Sequence, residues 1–484
     1  MPLFHNELPS RRMRNLPGRG LMLGCALSAW FCMSEAHALN FTVNDYEDWP
    51  DREPGDGYCE DERGLCTLRA AIEETNALPR TDWIGVPEGY YGLTEGQLTI
   101  TDGLIVAGLG DPPVIDAQGN SRVLAICENG RPKACRGGEP GPSGIFVHIA
   151  NLRITRGKVG DNWEGGFVGG GGIAIGRGTS VTLLSVEVRD NEAAWSGGGI
   201  LNHGRLTVER STISHNWASG DGPYPLIGAG GGIAVLSVDE STSFEESLIA
   251  YNAARNGGGI ASFGSLVRIR NTTVSGNYAS VVGGGMEASH NARTDINFAT
   301  ITQNRVGEYF DEGYPLLYGG GGIYNDGTLV MGNSILADNS DRHDPFDQPV
   351  DADRSPDCKN PPHKGVLWTA GNNIIGNGDH CVRKGMGRND DESDPAISAG
   401  HDEVGNTSRP VDPRLRPLAD NGGPTPTHAL RQDSPAKDLV KFDTRIFELF
   451  FHPQSRDQRG FERPEPYIAP DLLDAGAFEE GATR

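Results

Sequence analysis

Three segments of the chain set aromatic rings beside carboxylates. That pairing suits a sugar: the ring face stacks on the pyranose, and the acid accepts from its hydroxyls. The segments are Asp161-Asn162-Trp163-Glu164, Asp221-Gly222-Pro223-Tyr224-Pro225-Leu226, and Glu308-Tyr309-Phe310-Asp311-Glu312 with Tyr314-Pro315-Leu316. From them the candidate glycan-binding set is Asp161, Trp163, Glu164, Asp221, Tyr224, Tyr309, Asp311 and Glu312. The competing reading is that the segments only cover one another, with the Tyr-Pro-Leu pairs packing as a side core. Loops on a repeat scaffold are where binding usually sits.

Other chemistry is thinner. His203, in Asn202-His203-Gly204, stands beside a turn without the paired carboxylates a hydrolase needs, and reads as a surface or satisfied residue. Asp351, Asp353 and Asp357, and the run Asp390-Asp-Glu-Ser-Asp394, are acidic enough for Ca²⁺. Neither has the spacing and glycine of a calcium loop, so both read as solvated acidic loops. No catalytic residue, metal site or cofactor is assigned. Eight cysteines fall to six when the N-terminal segment is removed: Cys59, Cys66, Cys127, Cys135, Cys358 and Cys381. They form three local pairs, and joining neighbours is the simplest of the connectivities they allow. No Cys-x-x-Cys occurs, which argues against zinc.

Arg11, Arg12, Arg14 and Arg19 precede an apolar run from Leu21 to about Met33, and Ala36-His37-Ala38 follows as a cleavage site. Residues 1–38 therefore read as an export signal, the run being too short to span a bilayer. An oxidising destination suits the cysteine pairs. Cleavage removes four Arg and two Glu, taking the net charge from −23 to −25. That balance argues against a nucleic-acid binder and disfavours an acidic polysaccharide as a tight ligand unless Ca²⁺ bridges the two. No later segment reaches a spanning length, so a soluble monomer is expected.

The elements that must position the aromatic segments come from a repeat. Gly-Gly-Gly-Ile ends at Ile173, Ile200, Ile233, Ile260 and Ile323, with Gly-Gly-Gly-Met ending at Met286. A second marker, an apolar residue, two variable ones and Asn, keeps step with it and ends at Asn191, Asn216, Asn252, Asn277 and Asn304. Between the markers apolar and polar residues alternate, as in Leu206-Thr-Val208, which is strand periodicity. Two markers sharing a period of about 25–37 residues, with no helix pattern between them, predict an all-β, right-handed parallel β-helix. The residue after each glycine cluster should point inward. Asn, which tolerates left-handed backbone, should stack into an amide ladder. Residues 98–340 are expected to form the helix, in roughly nine coils at ~4.8 Å each. The three aromatic segments would then leave one corner, two and then three coils apart, ~10 and ~14 Å along the axis.

Residues 39–97 read as an N-terminal cap and 341–484 as a loop-rich continuation and C-terminal cap. In the first, Leu68, Ala71, Ile72 and Thr75 have helical spacing and Pro79 stops the helix. Pro54-Gly-Asp-Gly-Tyr-Cys59 with Cys66-Thr-Leu-Arg-Ala-Ala-Ile-Glu-Glu-Thr-Asn76 resembles the Cys-Ser-Leu-Arg-Glu-Ala domain that begins many exported bacterial β-helix proteins. Thr67 and Ala70 depart from that pattern; Thr67 can still cap the helix, while Ala70 loses the reciprocal bond of a capping box. The glycine and Asn markers are similar to the repeats of polymorphic outer-membrane proteins. Asn372-Asn-Ile-Ile-Gly376, Leu418-Ala-Asp-Asn-Gly-Gly-Pro-Thr-Pro-Thr-His-Ala-Leu430, Ser434-Pro-Ala-Lys-Asp438 and Asp474-Ala-Gly-Ala-Phe478 resemble the choice-of-anchor β-helix family.

The resemblance implies a surface-interaction or adhesin-like scaffold, with a glycan or cell-envelope component as partner. The alternative is a polysaccharide lyase or glycoside hydrolase of the pectin-lyase-like superfamily. The sequence ends without a sorting signal, apolar tail or terminal aromatic strand. An extracellular or periplasmic location is therefore expected, with outer-membrane association left to a partner.

Overall fold

Each glycine cluster brings successive turns of the backbone closer than a side chain would allow. A Cβ on Gly231 would lie 2.4 Å from the carbonyl oxygen of Ala253 and 2.5 Å from that of Gly258 on the next turn. Gly230, at φ +70°, adopts the left-handed backbone that glycine takes at least cost. The chain can therefore coil tightly, and the strands between clusters pair with those one repeat away. In the computed structural model this yields a right-handed parallel β-helix. The structure describes residues 38–127, 144–160, 169–220, 228–237, 240–307, 319–341, 356–361, 364–381, 383–385, 402–440, 454–464 and 473–482.

Four parallel sheets form the sides of the coil, with twelve (sheet A), eleven (B), nine (C) and seven (D) strands among the described residues. One turn runs through Arg205–Glu209 in A, Thr212–Ser214 in B, Trp217–Ala218 in D and Ile233–Val235 in C. Sheet A begins at Asn40–Thr42, so the coil starts inside the N-terminal region. The residues after the glycine clusters point inward as expected. Ile173, Ile200, Ile233, Ile260, Met286 and Ile323 stack in register and are fully buried.

The Asn ladder is present. Side-chain amides donate from Asn191 to Asn216, on to Asn252, Asn277, Asn304 and Asn339, and finally to Asp357, at 2.9–3.0 Å. Each amide from Asn216 to Asn304 also gives its second proton to a backbone carbonyl. The left-handed residue is not the Asn, however. It is the residue before it: Asp190, His215, Tyr251, Gly276, Gln303 and Asp338 all have φ between 55° and 68°. The Asn keeps ordinary backbone because its side chain must point inward to reach its neighbours.

A helix over Leu68–Ala77 packs across the first coils, its N-terminus capped by Thr67, whose hydroxyl accepts from the Ala70 amide at 3.0 Å. Arg69 is buried and fastens this region, pairing with Asp48 at 2.8 Å and donating to the carbonyls of Gly96 and Gln97. Cys59–Cys66 and Cys358–Cys381 are bonded. Cys127 is in a disulfide too, while Cys135 lies outside the described residues.

The C-terminal segment returns along the side of the rod. Gln458 accepts from the Thr273 hydroxyl at 2.6 Å and donates to the Ser247 carbonyl at 3.0 Å, and His428 meets Ser275 at 2.9 Å. Arg463, fully buried, pairs with Glu479 and stacks on Phe298 at 4.2 Å. The outer face of sheet B is thereby covered around Thr273, Ser275 and Thr300.

Candidate functional site

Apart from Phe146 in sheet A, the large aromatic residues exposed in the described part of the repeat region lie on sheet D or at the corner before it. Its outward column runs in register through Lys158, Glu192, Trp217, Ala253, Tyr278 and Arg305. Tyr251 stands at the left-handed corner just before the sheet on the intermediate coil. Trp217, Tyr251 and Tyr278 are 49%, 48% and 38% exposed, so three consecutive coils each show one ring to solvent. Such a run of exposed apolar surface marks an interaction site more often than a lone exposed ring does.

The backbone explains how these rings lie. A Cβ on Gly276 would stand 2.6 Å from the Tyr251 ring, and one on Gly307 would stand 2.5 Å from that of Tyr278. Each tyrosine ring therefore reaches along the rod axis to a glycine of the next coil. Ala253 leaves space between Trp217 and Tyr278. His215 stacks against Tyr251 with ring centroids 5.2 Å apart. Lys158 and Glu192 pair at 2.9 Å at the end beside Trp217. One aromatic ring per coil gives a platform with a ~4.8 Å repeat, of the same order as the spacing of sugar rings in an extended glycan.

The eight sequence candidates, Asp161, Trp163, Glu164, Asp221, Tyr224, Tyr309, Asp311 and Glu312, lie outside the described residues. The strands just before their segments, Lys158–Val159, Trp217–Ala218 and Arg305–Val306, are two and then three strands apart in sheet D. The aromatic platform thus occupies the same sheet from which those segments depart. It was visible in the sequence as an aromatic residue beside the Asn marker in three consecutive repeats, at Asn216-Trp217, Tyr251-Asn252 and Asn277-Tyr278. The aromatic falls on either side of the Asn, so the Asn spacing alone does not reveal it.

His203 is half-buried, and desolvation, helped by the charge of Arg177, pushes its pKa down to about 4. Its neighbour Asn202 donates to Thr242 at 2.9 Å and accepts from the Gly204 amide at 2.9 Å, so the turn is built for structure. Asp357 corrects the reading of a solvated acidic loop. It is buried at the end of the Asn ladder, where Oδ1 accepts from Asn339 and Oδ2 accepts from the Asn377 amide at 2.7 Å. Burial raises its pKa to about 7 against the pull of those bonds. Asp351, Asp353, Asp390 and Asp394 lie outside the described residues. Among the described residues no group of three His, Cys, Asp or Glu is placed to hold a metal ion.

A second polar column was not anticipated. On the outer face of sheet C, Glu287, Tyr324 and Lys359 sit in register on consecutive coils, each 6% exposed. Burial raises the Glu287 carboxyl to about 7, the Ser289 hydroxyl that donates to it at 2.8 Å notwithstanding. Its sequence signal was the residue after Gly-Gly-Gly-Ile or Gly-Gly-Gly-Met, which is Ala or Leu at Ala174, Leu201, Ala234 and Ala261 and then turns to Glu and Tyr.

No family model and no curated protein matches the chain. Among solved structures, a pectate lyase, Pel9A, is similar with a TM-score of 0.42 at 12% identity, covering 90% of this chain and 97% of that one. At that identity no active-site residue carries across.

Proposed function

We propose that the chain is an exported β-helix scaffold that binds a neutral glycan of a surface or envelope on the outer face of sheet D. The observation that carries this reading is the row of Trp217, Tyr251 and Tyr278, one exposed ring per coil, two of them packed against glycines of the next coil. Flat aromatic faces stack on the C–H faces of pyranose rings and bury large apolar area for little side-chain entropy. A neutral polymer fits better than an acidic one because the exported chain is strongly acidic. The segments holding Trp163, Tyr224 and Tyr309 border this sheet in sequence and are proposed to extend the same surface.

The test is affinity electrophoresis of residues 39–484 in gels containing neutral or acidic polysaccharides. At least one neutral polymer should retard the protein. Trp217→Ala should weaken that binding roughly tenfold, with smaller losses for Tyr251→Ala and Tyr278→Ala. Retardation that survives the triple substitution unchanged would place binding elsewhere.

A further inference from the structure

Asp82 differs from the other buried aspartates of the N-terminal region. Asp48, Asp51 and Asp61 each accept hydrogen bonds on both carboxylate oxygens. Asp82 is 1% exposed; its Oδ1 accepts from the backbone nitrogen of Leu39 at 2.7 Å, and its Oδ2 accepts no hydrogen bond among the described residues. The Arg80 Nε stands 3.9 Å from Oδ1, beyond hydrogen-bond reach, and Asp102 faces the site with a like charge.

Leu39 is held where it meets this carboxylate. Its carbonyl accepts from the Trp83 amide at 2.9 Å, and Asn40 beside it pairs with Trp83 in the first strand of sheet A. Ala38, the residue before, is exposed. Leu39 is also the residue that cleavage after Ala36-His37-Ala38 leaves at the start of the exported chain. In the uncut chain a neutral amide meets Asp82, and a buried charge is left without a counter-ion at hydrogen-bond distance. An asparagine or a serine would accept from that amide without carrying the charge. In the cut chain the same nitrogen is an ammonium, which brings a full positive charge to the carboxylate.

We infer that removal of residues 1–38 is a maturation step that supplies Asp82 with its counter-ion, an ion pair between the Leu39 α-ammonium and the Asp82 carboxylate fastening the first strand to the coil. The inference rests on the export reading and is independent of glycan binding. The step is hydrolysis of the Ala38–Leu39 peptide bond by an export peptidase: water adds, Ala38 keeps the new carboxylate, and the Leu39 amine takes up a proton. The uncut chain lacks the pair and holds its first strand less firmly.

The test compares two chains of unaltered sequence, one starting at Ala36 and one at Leu39. Hydrogen exchange read by mass spectrometry should show the amides of residues 40–43 exchanging roughly tenfold more slowly in the chain that starts at Leu39. At pH 7, acetylation of the Leu39 amine by an N-hydroxysuccinimide ester should be roughly tenfold slower in the folded chain than in urea, because an ion-paired ammonium is not nucleophilic, and D82N should restore the rate. Equal exchange in the two chains would overturn the proposal by making the neutral amide sufficient, and this comparison needs no variant that could misfold. Slow acetylation that persists in D82N would overturn it by making packing the cause. N-terminal sequencing of the exported protein tests the export reading separately: a start other than Leu39 removes that boundary and this proposal with it, whereas a Leu39 start with equal exchange overturns the proposal alone.

Discussion

Two buried polar columns run along this rod, and they are built in opposite ways. In the Asn ladder every amide from Asn216 to Asn304 has its protons and its oxygen engaged, and the same residue type recurs on each coil. On the outer face of sheet C, three different ionisable residues follow one another, and Glu287 Oε2 is left unsatisfied. The first column repeats because it holds the coils in register. The second departs from the repeat, at the cost of desolvating a carboxyl, where no coil contact requires it. Satisfied repetition marks the scaffold, and the second column is where the chain departs from it.

The largest expected effect comes from breaking the satisfied column. Asn252→Ala removes the donor to the Ile213 carbonyl and to Asn277, and the acceptor for the backbone and side-chain N–H groups of Asn216. Urea unfolding should show a loss of about 4 kcal/mol or more, since several buried groups are orphaned together.

The unsatisfied column should respond to pH. Glu287 takes up its proton at about 7 in the folded chain, against 4.5 for an ordinary glutamate. A raised carboxyl contributes stability that is complete below the unfolded value and is lost as pH rises through the folded one. Wild-type stability should therefore fall relative to Glu287→Gln between about pH 4.5 and pH 7, by about 3 kcal/mol at the upper end. Parallel stability curves for the two proteins would show that Glu287 is ionised as easily as a surface residue.

The smallest stability effect belongs to the exposed platform. Trp217→Ala should alter unfolding by no more than about 0.5 kcal/mol while glycan affinity drops. A stability loss as large as that of Asn252→Ala would make Trp217 a packing residue.

The scaffold was legible in the sequence because its constraints recur. Gly-Gly-Gly-Ile fixed the inward Ile column, the Asn marker fixed the ladder, and Thr67 with Leu68, Ala71 and Ile72 fixed the helix. What recurs less was harder to read. Trp217, Tyr251 and Tyr278 sit at two different offsets from the Asn, so their common face appears only when strand register and the left-handed corner are known. Lys359 follows Asp357-Cys358 with no glycine cluster before it, so only its pairing with Tyr324 places it in the Glu287 column. The left-handed residue was assigned to Asn itself because Asn favours that backbone in isolation; the ladder's inward bonds outweigh the preference and move the turn one residue earlier.

The most direct test of glycan binding on sheet D is the dependence of affinity on oligosaccharide length. Neutral oligosaccharides of one to six sugars, drawn from a polymer that retards the protein, would be titrated into residues 39–484. Affinity should rise with each added ring until about three are present, one for each of the coils carrying Trp217, Tyr251 and Tyr278, and then level off. Affinity that is independent of length, or that keeps its length dependence after Trp217→Ala, would contradict the account.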